Sequence, residues 1–122
     1  VIVIDLNQKL NNNQYFNSKE NWWRIVNGES NRVNDIIVTE NSLKDILIIL
    51  LQKGIQSIFV EGGTHTLQQF IDLQLWDECY VYQGDIIIEN GLNAPVLKNQ
   101  QLIQQFNLEV DHIRIYKPNL NE

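Results

Sequence analysis

Basic residues are scarce in this chain: nine Lys and Arg stand against fifteen Asp and Glu, for a formal net charge of −6. A nucleic-acid partner is therefore excluded, because neutralising a phosphate backbone takes a basic stripe that is missing here. A small phosphorylated ligand is not excluded, since it needs only a few N–H groups and one or two cations. Lys9, Arg24 and Arg32 could supply those cations or simply solvate the surface. Cysteine is almost absent too. With Cys79 alone there is no internal disulfide and no thiolate metal cluster, which favours a reducing compartment and a cytoplasmic location. Between Glu78 and Tyr80, Cys79 reads as a small strand hydrophobe and not as a nucleophile. His65 and His112 lie too far apart for a local metal motif, so no metal is expected. The longest apolar run, residues 46–51, falls far short of the roughly 18 residues a membrane span needs, and no signal peptide precedes it. Methionine is absent even from the first position, and a chain that opens inside a strand is expected to have upstream residues in the same fold.

What is present suits one domain. Hydrophobic residues make up 43% of the 122, with three Trp, four Tyr and four Phe to fill a core. Val1-Ile2-Val3-Ile4 is a β-branched run of the kind buried on both faces of a mostly parallel sheet. Residues 7–21 are rich in Asn and Gln and read as a polar loop. Residues 22–26 and 35–38 look like strands, the first ended by the turn signal Asn27-Gly28. A helix starts with Asn41 or Ser42 as cap and Asp45 placed for a reciprocal contact. Its apolar face comprises Leu43, Ile46, Leu47, Leu50 and Leu51, and Gly54 ends it. With a strand over residues 57–60, this makes a β-α-β unit with parallel strands. Residues 64–73 give a second helix with Leu67, Phe70 and Ile71 inward. Residues 78–82, 85–89, 106–111 and 112–117 have strand character and short connections, which suggests antiparallel additions, with Gly91 and Pro95 in the long loop between them. The expected fold class is α/β with a mixed sheet.

The richest stretch is Ile58-Phe59-Val60-Glu61-Gly62-Gly63-Thr64-His65-Thr66-Leu67. A strand that stops at Glu61 presents a carboxylate at the sheet edge where open α/β sheets bind ligands. Gly62 and Gly63 permit turn geometries closed to other residues and leave no side chain between backbone and phosphate. The helix that follows directs N–H groups and the positive end of its dipole into the same space. Gly-Gly between strand and helix also serves often enough as a plain tight connection.

Residues 58–78, I-F-V-E-G-G-T-H-T-L-Q-Q-F-I-D-L-Q-L-W-D-E, closely resemble the V-E-G-G-x-x-L-x-x-x-F-(6)-D-E signature of the riboflavin-biosynthesis reductase domain. That domain is the C-terminal half of a bifunctional pyrimidine deaminase/reductase with a dihydrofolate reductase-like fold. Val1-Ile2-Val3-Ile4-Asp5 resembles its early strand, Gly91-Leu92-Asn93-Ala94-Pro95 a later loop, and residues 111–116 its final strand. The resemblance implies NADPH-dependent reduction of 5-amino-6-(5-phosphoribosylamino)uracil, a phosphorylated pyrimidine, to the ribitylamino form. It implies substrate contact at Glu61. Cofactor contact is implied at Leu6 in the turn after the first strand, and at Gly62, Gly63, Thr64, His65, Thr66, Leu67, Gln68 and Gln69. Asp77 and Glu78 match a pair expected to be structural, and no catalytic proton donor is assigned. Members often pair through this domain, and residues 80–82 and 86–88 offer apolar surface that could serve a homodimer or a core equally.

Two parts of the family pattern are missing: a strand carrying Asp-Gly with a loop of paired aspartates, and the zinc-binding deaminase half. The 122 residues are thus expected to be the C-terminal portion of one reductase domain, without deamination or zinc. The alternatives are a pterin-like heterocycle reductase on the same fold and a noncatalytic nucleotide-binding or dimerisation module.

Overall fold

Three short runs rich in β-branched residues make a parallel sheet near the start of the chain. In the computed structural model, which describes residues 1–14, 18, 21–39 and 42–119, these are β1 (Ile2–Ile4), β2 (Trp23–Asn27) and β3 (Asp35–Val38). They lie in the order β1-β2-β3, with Ile4 opposite Ile25 and Val26 opposite Ile37. Position in the sheet decides burial. Central β2 buries Arg24, Ile25 and Val26 in succession, whereas β3 buries Ile36 and Val38 and leaves Ile37 half open. The expectation that residues 1–4 are buried on both faces does not hold, because β1 is an edge strand and Ile4 remains 44% exposed.

Helix α1 (Leu43–Gln52) follows β3 and buries Leu43, Ile46 and Leu50. Ile25, Ile36, Val38, Ile46 and Leu50 form one cluster, with Ile2, Leu6, Trp23, Ile49 and Ile55 packed around it. Each such side chain contributes about 1.5–3 kcal/mol by leaving water. The inward stripe is rotated from the one expected: Leu51 is 62% exposed and Ile49 takes a place at the core. Ser42 occupies the N-cap position, but its side chain makes no cap bond; Asn41 lies outside the described residues. The far end closes as expected. Gly54 has φ +84°, its N–H reaches the Leu51 carbonyl at 2.9 Å, and the Ile55 N–H returns to Leu50 at 3.1 Å. This is the Schellman arrangement, which favours glycine at that position.

The chain divides into two units, Val1–Ile58 and Phe59–Glu122, of which the sheet and helix above belong to the first. The second holds α2 (Thr64–Asp72) and the strands β4 (Cys79–Gln83), β5 (Gln100–Leu108) and β6 (Asp111–Pro118). These strands are antiparallel in the order β4-β6-β5. Phe70, Ile71 and Ile113 are its buried apolar residues among those described.

Two expected strands are not formed. Residues 57–60 and 85–89 pair with no strand among the described residues, so the β-α-β unit lacks its second strand there. Ile86, Ile87 and Ile88 are correspondingly exposed. β propensity expresses itself through cross-strand neighbours, and neither run has them. Conversely, the Gln-rich residues 100–105 form much of β5 because β6 lies alongside, with a register shift between Leu102 and Gln104. The chain reverses at Glu109 and Val110, with Glu109 at φ +55°, between the two long strands.

Candidate functional site

The Glu61-Gly62-Gly63 turn leads directly into α2, with Gly63 as N-cap in an extended conformation (φ −70°, ψ 164°). Neither glycine has a positive φ, so the expectation that both adopt turn geometries closed to other residues is corrected. Their other expected property remains. A Cβ built on Gly63 meets nothing within 4 Å, so the space before it is open, and one on Gly62 would lie 3.5 Å from Thr66 Cβ.

The first intrahelical bond runs from the Leu67 N–H to the Gly63 carbonyl at 3.2 Å. The N–H groups of residues 64–66 precede it, and a glycine N-cap brings no side chain to satisfy them. Three donors at the positive end of a helix dipole suit a phosphate oxygen. Glu61 is exposed beside them.

Four of the side chains expected at the cofactor, those of Thr64, His65, Gln68 and Gln69, have other partners, whereas Thr66 is half-buried in the first turn. Thr64 Oγ1 donates to the Asn93 carbonyl at 2.6 Å, and Gln69 Nε2 donates to His65 Nε2 at 2.8 Å. Gln68 exchanges hydrogen bonds with the backbone of Val96. Leu67 is half-buried. The groups left to meet a ligand are therefore chiefly backbone N–H groups, which sequence cannot rank by side-chain type. Leu6 belongs to the first unit, where its side chain packs on the core and its carbonyl accepts the Asn27 N–H at 3.3 Å.

A second polar centre, in the first unit, changes the reading of Arg24. Its side chain is 3% exposed, and the guanidinium donates to both Asp35 oxygens and reaches Asp5 Oδ2 at 3.3 Å and Asn11 Oδ1 at 2.6 Å. It is a buried structural cation and not a surface charge or phosphate ligand. The Asp35 hydrogen bond raises its pKa. Burial pulls the Asp35 carboxyl upward, but hydrogen bonds from Arg24 and Ser30 and the Arg24 charge outweigh it and hold the group below its ordinary value. Asp5 organises the turn after β1 by accepting the Lys9 and Leu10 N–H groups, each at 2.9 Å. Cys79 is half-buried in β4 and burial pushes its thiol pKa up, in keeping with a strand hydrophobe.

No helix among the described residues is long and apolar enough to cross a membrane. No curated protein matches the sequence. Two solved structures are similar. One, a diaminohydroxyphosphoribosylaminopyrimidine deaminase/5-amino-6-(5-phosphoribosylamino)uracil reductase from Thermotoga maritima, superimposes with a TM-score of 0.76 at 20% identity, over 96% of this chain and 37% of that one. The other, a protein assigned to riboflavin biosynthesis from Shewanella sp. PV-4, gives 0.61 at 20% identity, over 95% of this chain and 72% of that one. These likenesses show the fold: dihydrofolate reductase-like α/β, parallel in its early strands and antiparallel in its late ones. The model of the RibD C-terminal domain matches residues 1–120, and the chain accordingly belongs to that family.

Proposed function

We propose that this chain is the C-terminal portion of a riboflavin-pathway reductase that uses NADPH to convert 5-amino-6-(5-phosphoribosylamino)uracil to the ribitylamino form. Family membership over residues 1–120 supports a reductase, and the uncapped N-terminus of α2 behind Glu61-Gly62-Gly63 carries the cofactor assignment. The local residues fit such a group, since the space before Gly63 would be filled by a Cβ and is otherwise open.

A nicotinamide supplies the hydride. The protein's part is to bind and orient. The N–H groups of residues 64–66 would hold phosphate oxygens, and Gly62 and Gly63 would admit them close to the backbone. Glu61 would accept hydrogen bonds from substrate hydroxyl or amino groups and so fix the approach of the acceptor carbon, an orientation effect. His65, Thr66, Leu67 and Gln69 complete the first turns of α2 behind the phosphates, with the Gln68 amide turned to the Val96 backbone.

Calorimetric titration of NADPH into the chain tests this reading, with NADH and Gly63→Val as controls. Saturable binding lost in the variant is expected, and disappearance of NADPH absorbance on adding the pyrimidine substrate would report turnover. A folded chain that gives no heat with NADPH refutes the cofactor assignment.

A further inference from the structure

Thr64, Gln68 and Asp72 are spaced four residues apart along α2 and so share one side of it. All three hold residues 93–98. Thr64 Oγ1 donates to the Asn93 carbonyl at 2.6 Å, and Lys98 Nζ donates to Asp72 Oδ1 at 2.8 Å. Between them Gln68 forms a closed pair: its Nε2 donates to the Val96 carbonyl at 3.2 Å while its Oε1 accepts the Val96 N–H at 2.8 Å. The same Nε2 also reaches Asp72 Oδ1 at 3.0 Å.

The middle contact is the specific one. A primary amide offers a donor and an acceptor side by side, so it can satisfy both backbone groups of one residue as a neighbouring strand would. Residues 93–98 belong to no helix or strand, and Pro95 and Leu97 are only half-buried, so this ladder supplies much of what locates them. Its first rung is at the first residue of α2, which places Asn93 at the helix end where the N–H groups emerge. Positions 64 and 68 are ones the V-E-G-G-x-x-L-x-x-x-F pattern leaves open, so the ladder belongs to this chain's own residues.

We propose that residues 93–98 are a strap tied to α2 by the Gln68 amide, flanking the ligand-binding end of the helix, with Gln68 acting as a positioning residue. The inference rests on the preceding section in taking the occupant of that end to be a phosphorylated dinucleotide. Gln68 needs no contact with it. A ligand that steadies the first turn of α2 steadies Asn93 through Thr64 and Val96 through Gln68.

Hydrogen–deuterium exchange of the chain, with and without NADPH, tests this in the wild type, Gln68→Ala and Gln68→Glu. Loss of the amide pair should lower protection of the Val96 N–H about tenfold in Gln68→Ala. In Gln68→Glu an ionised carboxylate keeps the acceptor but has no donor for the Val96 carbonyl; a protonated acid restores both. The carboxylate oxygen that replaces the amide nitrogen faces the Val96 carbonyl and Asp72 Oδ1, and this repulsion opens the pair until the acid is protonated, so protection should recover as pH falls in Gln68→Glu, and in neither of the other proteins. With NADPH at concentrations that calorimetry shows to saturate each protein, residues 93–98 should gain protection in the wild type and not in Gln68→Ala. Equal Val96 protection in wild type and Gln68→Ala, or an equal gain on binding, overturns the strap. Absence of NADPH heat, with the pH-dependent recovery intact, would sink the cofactor reading and leave the strap supported.

Discussion

Replacing Arg24 by Met removes the cation from a cluster whose side chains are nearly closed to water: 3% exposed for Arg24, 1% for Asp35 and 7% for Asp5. Met keeps most of the length and apolar volume of the stem, so the loss is chiefly of charge and of the hydrogen bonds to Asp35, Asp5 and Asn11. Breaking a buried pair from one side typically costs about 3–5 kcal/mol, because a desolvated charge is left behind. Ser30 still donates to Asp35, and the Lys9 and Leu10 N–H groups still donate to Asp5, which places the expected loss near the lower figure, about 3 kcal/mol. The pH dependence is the sharper test. In the wild type the Asp35 pKa is lowered in the folded state, so its stabilisation is present above the unfolded carboxyl value of about 3.9 and is lost as pH falls through the folded one. Without the guanidinium, burial, the largest single cause, is opposed only by the Ser30 hydrogen bond and the Arg32 charge, so the folded carboxyl rises and the variant should gain stability as pH drops from 7 towards 5 while the wild type does not. Urea unfolding followed by tryptophan fluorescence reports this, since Trp23 adjoins Arg24 in β2. A loss below about 1 kcal/mol at pH 7, or parallel pH profiles, would refute the claim that Arg24 is a buried structural cation.

Other outcomes follow from burial and backbone geometry. Leu50→Ala should cost about 2–5 kcal/mol and Leu51→Ala under about 0.5 by the same unfolding assay, because only the first lies in the core cluster; similar losses would mean that α1 is rotated from the orientation described. Gly54→Ala should destabilise by about 1–2 kcal/mol, as its φ of +84° is strained for an L side chain. Gly63→Ala, at φ −70° with open space before it, should alter stability by less than about 1 kcal/mol yet weaken NADPH binding. Unaltered affinity would remove the phosphate from that turn. Cys79 should react with iodoacetamide more slowly in the folded chain than in urea at pH 8, since burial raises its pKa and lowers the thiolate fraction; equal rates would show the thiol to be open.

The parts of the fold legible in the sequence are those whose cause is local. The start of α1, its termination at Gly54, the turn at Gly28 and the helix opening at Thr64 each follow from residues within one turn of the chain. The family was legible for a related reason, because the specificity of the E-G-G block lies in close spacing. What could not be read depends on neighbours distant in sequence. The Gln-rich β5 is a strand because β6 runs beside it, while the isoleucines of residues 86–88 have the composition of a strand and no partner.

Side-chain roles divide in the same way. By itself the sequence determined the fold class, the Gly54 end of α1 and the place where a helix N-terminus meets a glycine turn, since propensity, periodicity and a glycine stop are encoded within a few residues. Only the tertiary structure decided that Arg24 is locked between Asp5 and Asp35, that the turn glycines supply space and not unusual dihedrals, and that Gln68 clasps Val96 across 28 positions. A hydrogen bond or a desolvated charge depends on what folding brings alongside it, and no local pattern records that partner.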